Sequence, residues 1–299
     1  MFATDLTSAE RFCGEMARRE AKNFYWGFIS LPYDQRIAIY ALYDFARQID
    51  DEADVARGPG LPERLAAYRE RVSKLMSGVH SDPVTQVLAR AVTRFAIPEA
   101  ELQELIDGVE VDAHRTRYES WDELRGYCRL VASVVGRMCV RIFGFTDPIA
   151  LERADDLGLA LQLTNILRDV REDAALGRVY LPADDLRRFG VTEHEVLRGG
   201  TPEGWRELVA WEATRARSLY ASGLRVVDYI PPRAAVCVKT MAGIYLRILD
   251  KIEGDPQLPL RGRASLSRLE KLRVVVESWL QAGEPSSAQA LPGLRPRSI

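Results

Sequence analysis

In the stretch YDFARQIDDEAD, Tyr43, Arg47, Asp50 and Asp54 recur at intervals of three and four residues. At about 100° per residue they fall within roughly 60° of one another on a helix. Ile37, Ile39, Leu42 and Ile49 occupy much of the remaining surface, so that helix is expected to be largely buried. Two carboxylates one turn apart on a buried helix repel each other and lose hydration. A cation has to compensate them: Arg47 for one, or a metal ion. Taken alone, the motif also fits a solvated acidic helix end running into a loop.

A second stretch, LALQLTNILRDVREDAALGRVYLP, places Gln162, Asn165, Asp169 and Asp173 at i, i+3, i+7 and i+11. These share a stripe roughly 80° wide. Leu159, Leu161, Leu163, Ile166 and Leu167 surround it, so a row of amides and carboxylates runs through an apolar helix. Together the two helices would present Asp50, Asp54, Asn165, Asp169 and Asp173, an all-oxygen set suited to Mg²⁺, with Mn²⁺ as a possible substitute. Magnesium held by few carboxylates completes its octahedron with water and substrate phosphates, so the implied ligand is a diphosphate. Neither GxxxxGK(S/T) nor GxGxxG is present to bind a nucleotide instead.

The elements that must position these rows are helical almost throughout, with no convincing strand alternation. Thr7 and Glu10 have the spacing of a capping box and predict a first helix from about Ser8. A long helix is expected from about Asp34 past Asp54, ended by VARGPGLP. Further helices are expected over 62–77, 83–95, 99–117, 122–143, 149–174, 202–225, 232–253 and 265–282, and a short one after the capping pair Thr192 and Glu195. Phe24 to Leu31 is aromatic-rich and ends at Pro32. No linker divides the chain. The expectation is one all-α domain over residues 1–282, with 283–299 as an unpacked tail.

With 47% apolar residues the chain can bury a sizeable core, and 41 Lys and Arg against 43 Asp and Glu give no nucleic-acid footprint. Cys13, Cys128, Cys139 and Cys237 are scattered and read as reduced core thiols of a cytoplasmic protein. The sequence MFATDLTSAERF lacks the pattern of a signal peptide, and the apolar run Leu130 to Val140 is cut by Arg137, so no membrane span is expected. His80, His114 and His194 have no partner spacing. Arg115 and Arg117 read as a solvated helix end, and Trp205 and Trp211 as packing.

At this point the residues resemble the squalene and phytoene synthase family of head-to-head prenyl diphosphate synthases. The resemblance spans about residues 10–280 and rests on FYWGFISLP, on YxxxRxxDDxxD from Tyr43 to Asp54, on YCRLVASVVG from Tyr127 to Gly136, and on QLTNILRDVREDAALGRVYLP from Gln162 to Pro182. EAKNFYWG, ELIDGVEVD and RASLSRLEKL look closest to bacterial presqualene diphosphate synthases of squalene and hopanoid pathways. The resemblance implies an all-α isoprenoid-synthase bundle around a central cavity. It implies Mg²⁺ held by Asp50, Asp54, Asn165, Asp169 and Asp173, with Tyr43, Arg47, Gln162 and Arg168 contacting diphosphates or positioning those ligands. Tyr127 and Tyr245 match tyrosines near the reacting centre, and Val131, Val135 and Gly136 match the lining of the prenyl channel, with Phe24 among the aromatic rings able to face a cation. Some relatives place His-Ser or Ser-Arg ahead of Phe24. Here Lys22 is the cationic candidate in that segment.

The reaction so implied joins two farnesyl diphosphates to presqualene diphosphate without a requirement for NADPH; the nearest alternative is phytoene synthesis from two geranylgeranyl diphosphates. A non-catalytic interaction protein of the same fold would be expected to have lost metal aspartates, which are present here. A product that is apolar beyond its headgroup implies peripheral contact with a membrane, and enzymes consuming that product are possible partners.

Overall fold

The computed structural model describes residues 6–55, 60–200 and 202–282; the side chains of residues 6, 22 and 52–55 lie outside the described set, as does the expected tail 283–299. Helices follow one another along the chain: α1 (Leu6–Glu20), α2 (Lys22–Phe28), α3 (Tyr33–Val55), α4 (Leu61–Met76), α5 (Pro83–Phe95), α6 (Glu99–His114), α7 (Trp121–Cys128), α8 (Val134–Phe143), α9 (Ile149–Arg168), α10 (Val170–Ala175), α11 (Ala183–Arg188), α12 (Glu193–Arg198), α13 (Trp205–Gly223), α14 (Pro232–Gly254), α15 (Leu258–Arg261) and α16 (Arg268–Leu280). A π-helical turn, Arg129–Ser133, joins α7 to α8, and a 3₁₀ segment, Leu224–Asp228, follows α13. Among the described residues there is no strand, only an isolated parallel bridge between Arg117 and Val179. The all-α expectation holds.

Local chemistry explains most boundaries. Asp82 caps α5 by accepting from Val84 and Thr85, with Pro83 at the first position, where a missing N–H is harmless. Thr192 and Glu195 form the expected capping box on α12. Other boundaries are corrected. α1 is already helical at Leu6, so Thr7 lies inside it. The helix expected over 99–117 stops at His114, because the next residues run alongside another segment: Val179 N donates to Thr116 O at 3.1 Å and Ala183 N to Tyr118 O at 2.9 Å. The helix expected over 149–174 turns at Asp169 (φ −102, ψ 13) but keeps its ladder, since Asp169 N donates to Asn165 O and Asp173 N to Asp169 O, each at 2.9 Å. The stripe of Gln162, Asn165, Asp169 and Asp173 therefore survives the kink. The region 265–282 is helical only from Arg268, and α2 and α11 are short helices not read from periodicity.

Helix α9 is the axis of the bundle, packed against α13, α8, the π turn and α14. Glycine permits close approaches around the π turn. A Cβ on Gly158 would lie 2.6 Å from Ser133 Cα, and one on Gly108 of α6 would lie 2.8 Å from Val131 Cγ1. The π turn is thus clamped between α6 and α9, and it carries Val131 into the centre of the molecule. Gly158→Ala must push two backbones apart, and overpacking of this kind outweighs the gain in helix propensity. A loss of roughly 1–3 kcal/mol is expected in denaturant unfolding of that variant.

One buried charge sits away from the oxygen rows. Asp44 of α3 is 2% exposed, and its Oδ2 has no hydrogen-bond partner. Burial pushes its carboxyl up to about 7, against a hydrogen bond from the Cys13 thiol that pulls it down. A carboxyl raised on folding binds more protons in the native than in the unfolded state, so its contribution is favourable at low pH and is lost as pH rises towards 7. The stability of Asp44→Asn relative to the natural chain should therefore increase between pH 4 and pH 8, by of the order of 4 kcal/mol at full ionisation. Paired urea titrations across that range measure the difference.

Candidate active site

The two oxygen rows face one cavity. Its volume is about 280 Å³, and Arg47 and Asp50 of α3 line it together with Gln162, Asn165, Asp169 and Asp173 of α9 and α10. A second volume of about 270 Å³ adjoins it and is predominantly apolar, lined by Phe24, Phe28, Tyr43, Gly136, Phe143, Leu161 and Met241 among others. Ala46, Asp50, Val131, Val135, Gln162 and Asn165 belong to both walls, so the oxygen-rich mouth opens directly into the apolar arm. Helical periodicity makes this possible: α3 turns Asp50 to the mouth and Ile39 and Leu42 to the arm.

Charge is unevenly compensated in the mouth. Arg168, 5% exposed, grips Asp169 side-on, with Nε to Oδ1 at 2.7 Å, and Arg263 approaches the same oxygen at 3.1 Å. Asp173 is pushed up to about 7 by burial and then by the charges of Asp169, Asp112 and Glu172, which outweigh the pull of Arg178. Asn165 donates to Gln162 Oε1 at 3.3 Å, while its own Oδ1 is buried without a hydrogen-bond partner. An orphaned carbonyl oxygen beside repelling carboxylates is the donor chemistry of a hard divalent cation, so the residues fit Mg²⁺. Among the described residues no three acidic, His or Cys side chains converge on one point.

Arg47 pairs with Asp51 at 2.7 Å. Tyr245 and Arg168 are not among the lining residues of either volume. Tyr245 stacks on Phe24 with ring centroids 5.6 Å apart, and the Arg168 guanidinium stands 5.7 Å from the Tyr245 ring, so this pair supports the wall from behind. Phe24, Tyr43, Val131, Val135 and Gly136 all line the arm, and Tyr127 lines the mouth. The side chains of Lys22 and Asp54 lie outside the described residues. Arg115 and Arg117 are committed to ion pairs with Glu123 and Glu193.

Three polar residues that periodicity did not single out also line the mouth: Asp112, Arg178 and Tyr180. Asp112 of α6 accepts from Tyr127 at 2.8 Å and from Tyr180 at 2.5 Å, and pairs with Arg178 at 3.0 Å. The rings of Tyr118, Tyr127 and Tyr180 stack at 5.3–6.0 Å. Burial, the first cause in each case, raises the phenols of Tyr127 and Tyr180 well above the usual value and that of Tyr43 to about 12. All three therefore stay protonated at neutral pH, and Tyr127 and Tyr180 donate to Asp112.

Comparison with known proteins agrees with this geometry. The profile of the squalene/phytoene synthase family matches residues 17–270. The chain belongs to that family. It is a prenyltransferase, and the family comprises head-to-head prenyl diphosphate synthases. Over 276 residues it is 40% identical to the phytoene synthase of Mycobacterium tuberculosis, covering 91% of this chain and 90% of that protein. The phytoene synthase of Arthrospira platensis is 34% identical over 285 residues, 90% of this chain and 92% of the relative. Among solved structures, the squalene synthase HpnC from Alicyclobacillus acidocaldarius superposes with a TM-score of 0.79 at 30% identity, over 83% of this chain and 94% of its own. A dehydrosqualene synthase in complex with a ligand gives 0.85 at 27% identity, over 93% and 98%.

In this prenyltransferase Asp112 joins three groups of the mouth, Tyr127 from α7 and Arg178 and Tyr180 from the segment after α10. Removing its charge takes the carboxylate away from the buried Arg178, and misplacement of about 1 Å near reacting groups can cost about 10²-fold. Asp112→Asn should retain the fold by circular dichroism and lose condensation activity on that scale in a steady-state assay.

Proposed function

We propose that the enzyme condenses two farnesyl diphosphates head to head and releases presqualene diphosphate. The observation that carries this reading is the continuity of the oxygen-rich mouth with an apolar arm of about 270 Å³. The apolar arm suits a prenyl chain and the oxygen-rich mouth its diphosphate. The neighbours named squalene and dehydrosqualene synthase support the same reading. Phytoene synthesis from two geranylgeranyl diphosphates is the second reading, favoured by the 40% identity to a phytoene synthase.

Asp50, Asp54, Asn165, Asp169 and Asp173 would hold Mg²⁺, which when bound supplies positive charge to the leaving diphosphate. Arg47 and Arg178, which line the mouth, would bind diphosphate oxygens as bidentate donors, while Arg168 orients Asp169. In one substrate the allylic C–O bond breaks and its electron pair leaves with the diphosphate. The C2–C3 double bond of the other attacks the cation, and loss of a proton closes the cyclopropane. Val131, Val135 and Leu161 exclude water from the cation, and the faces of Phe24 and Tyr43 stabilise it. Because the phenols are held protonated, the released diphosphate is the better proton acceptor. The product carries two apolar tails, so it leaves into lipid from an enzyme lying at a membrane surface.

Incubating the protein with each prenyl diphosphate and Mg²⁺, with and without NADPH, and identifying products by mass tests the reading. A thirty-carbon diphosphate unchanged by NADPH is expected; a forty-carbon product would favour phytoene synthesis, and squalene would show a second half-reaction. Chelation should abolish turnover and Mg²⁺ or Mn²⁺ restore it. Asp50→Asn should lower turnover about 10²-fold or more with the fold retained.

A further inference from the structure

Five large apolar side chains exposed to solvent share the thirteen-residue helix α16: Leu269, Leu272, Val276, Trp279 and Leu280. At about 100° per residue they occupy an arc of roughly 100°. The opposite side of the helix is buried through Val274 and Ser278, and a Cβ on Gly243 of α14 would lie 2.8 Å from Val274 Cγ1. Both faces of α16 are therefore apolar, and the outer one is uncovered by the described residues.

The charges on the helix are sorted in the same way. Both carboxylates turn inward to cations of α14: Glu270 pairs with Lys251 at 2.8 Å, and Glu277 accepts from Arg247 as well as from Arg273. Lys239 donates to Gln281 O at 2.7 Å and holds the far end of the helix. Arg268 and Arg273 fall at the two edges of the exposed apolar arc, and the arc contains no acidic residue. A stripe of Leu, Val and Trp edged by arginines on a rigidly held helix is the pattern of a helix that lies in the plane of a bilayer surface, its apolar side in the acyl boundary and its cations at anionic headgroups. Pairing of two copies through the stripe would set arginine edges against arginine edges with no outward carboxylate between them.

We propose that the outer face of α16 docks the enzyme on a membrane containing anionic lipid. The choice of lipid rests in part on the apolar product inferred above. Position supports it too, because α16 covers the outside of α14, whose Val238 and Met241 line the apolar arm.

The test is co-sedimentation of the full chain, without prenyl substrate, with vesicles of phosphatidylcholine alone or mixed with phosphatidylglycerol. Binding is expected to the mixed vesicles and to weaken with salt. Leu269 and Leu280 are 79% and 78% exposed, so L269E/L280E disturbs no packing. That variant should bind about tenfold or more weakly, with turnover of detergent-dispersed substrate unchanged, and Arg268→Glu should lose the preference for anionic vesicles. Absence of vesicle binding by the natural chain, or equal binding by L269E/L280E, overturns the proposal. So does light scattering that shows a dimer which L269E/L280E converts to monomer while vesicles bind neither form. Binding is read without turnover, so its failure is distinguishable from failure of the substrate reading.

Discussion

Carboxylates gathered at the mouth of an apolar arm set the terms for the rest of the molecule. Asp50, Asp169, Asp173 and Asp112 share one cavity wall, and taking such groups out of water beside one another raises the energy of every ionised form. The arginines around them meet part of that demand. Arg168 grips Asp169, Arg263 reaches it from the loop before α16, and Arg178 serves Asp112. What is left over appears as the raised Asp173 carboxyl and the unpartnered Asn165 oxygen. Uncompensated charge and an open carbonyl oxygen of this kind suit a diphosphate accompanied by cations.

The bundle holds these groups where relaxation is difficult. The π turn between α7 and α8 is fixed by Gly158 on one side and Gly108 on the other, so Val131 and Val135 stand at the junction of mouth and arm. A π insertion in an otherwise α-helical run is a common mark of a functional site, and here it stands where the polar and apolar chemistries meet. The bridge between Arg117 and Val179 has a comparable effect, carrying Arg178 and Tyr180 to Asp112.

One helix axis can thus serve two solvents. Residues of α9 on one stripe present oxygen, while Leu161 and Gly158 form part of the arm one turn away. An allylic cation survives only where water is excluded, and a diphosphate leaves only where charge is supplied. Neighbouring turns of the same helices present both chemistries.

The two oxygen stripes, the helical class and most helix limits were legible in the sequence, because side-chain periodicity and capping are local properties that a helix expresses directly. Asp50, Gln162, Asn165, Asp169 and Asp173 could be placed on faces from spacing alone. Spacing could not show that Arg47 would turn to Asp51, or that Tyr245 and Arg168 would stand behind the wall, because rotamer and neighbour are decided by packing. Nor could it find Asp112, Arg178 and Tyr180, which no common helix carries and which meet only when the chain after α6 runs beside the chain after α10. The early end of α6 has the same origin: a main-chain hydrogen bond from Val179 replaced the next helical turn. Local periodicity fixed which residues share a face; only the tertiary structure decided which faces meet, because contacts between distant segments depend on the packing of the whole bundle.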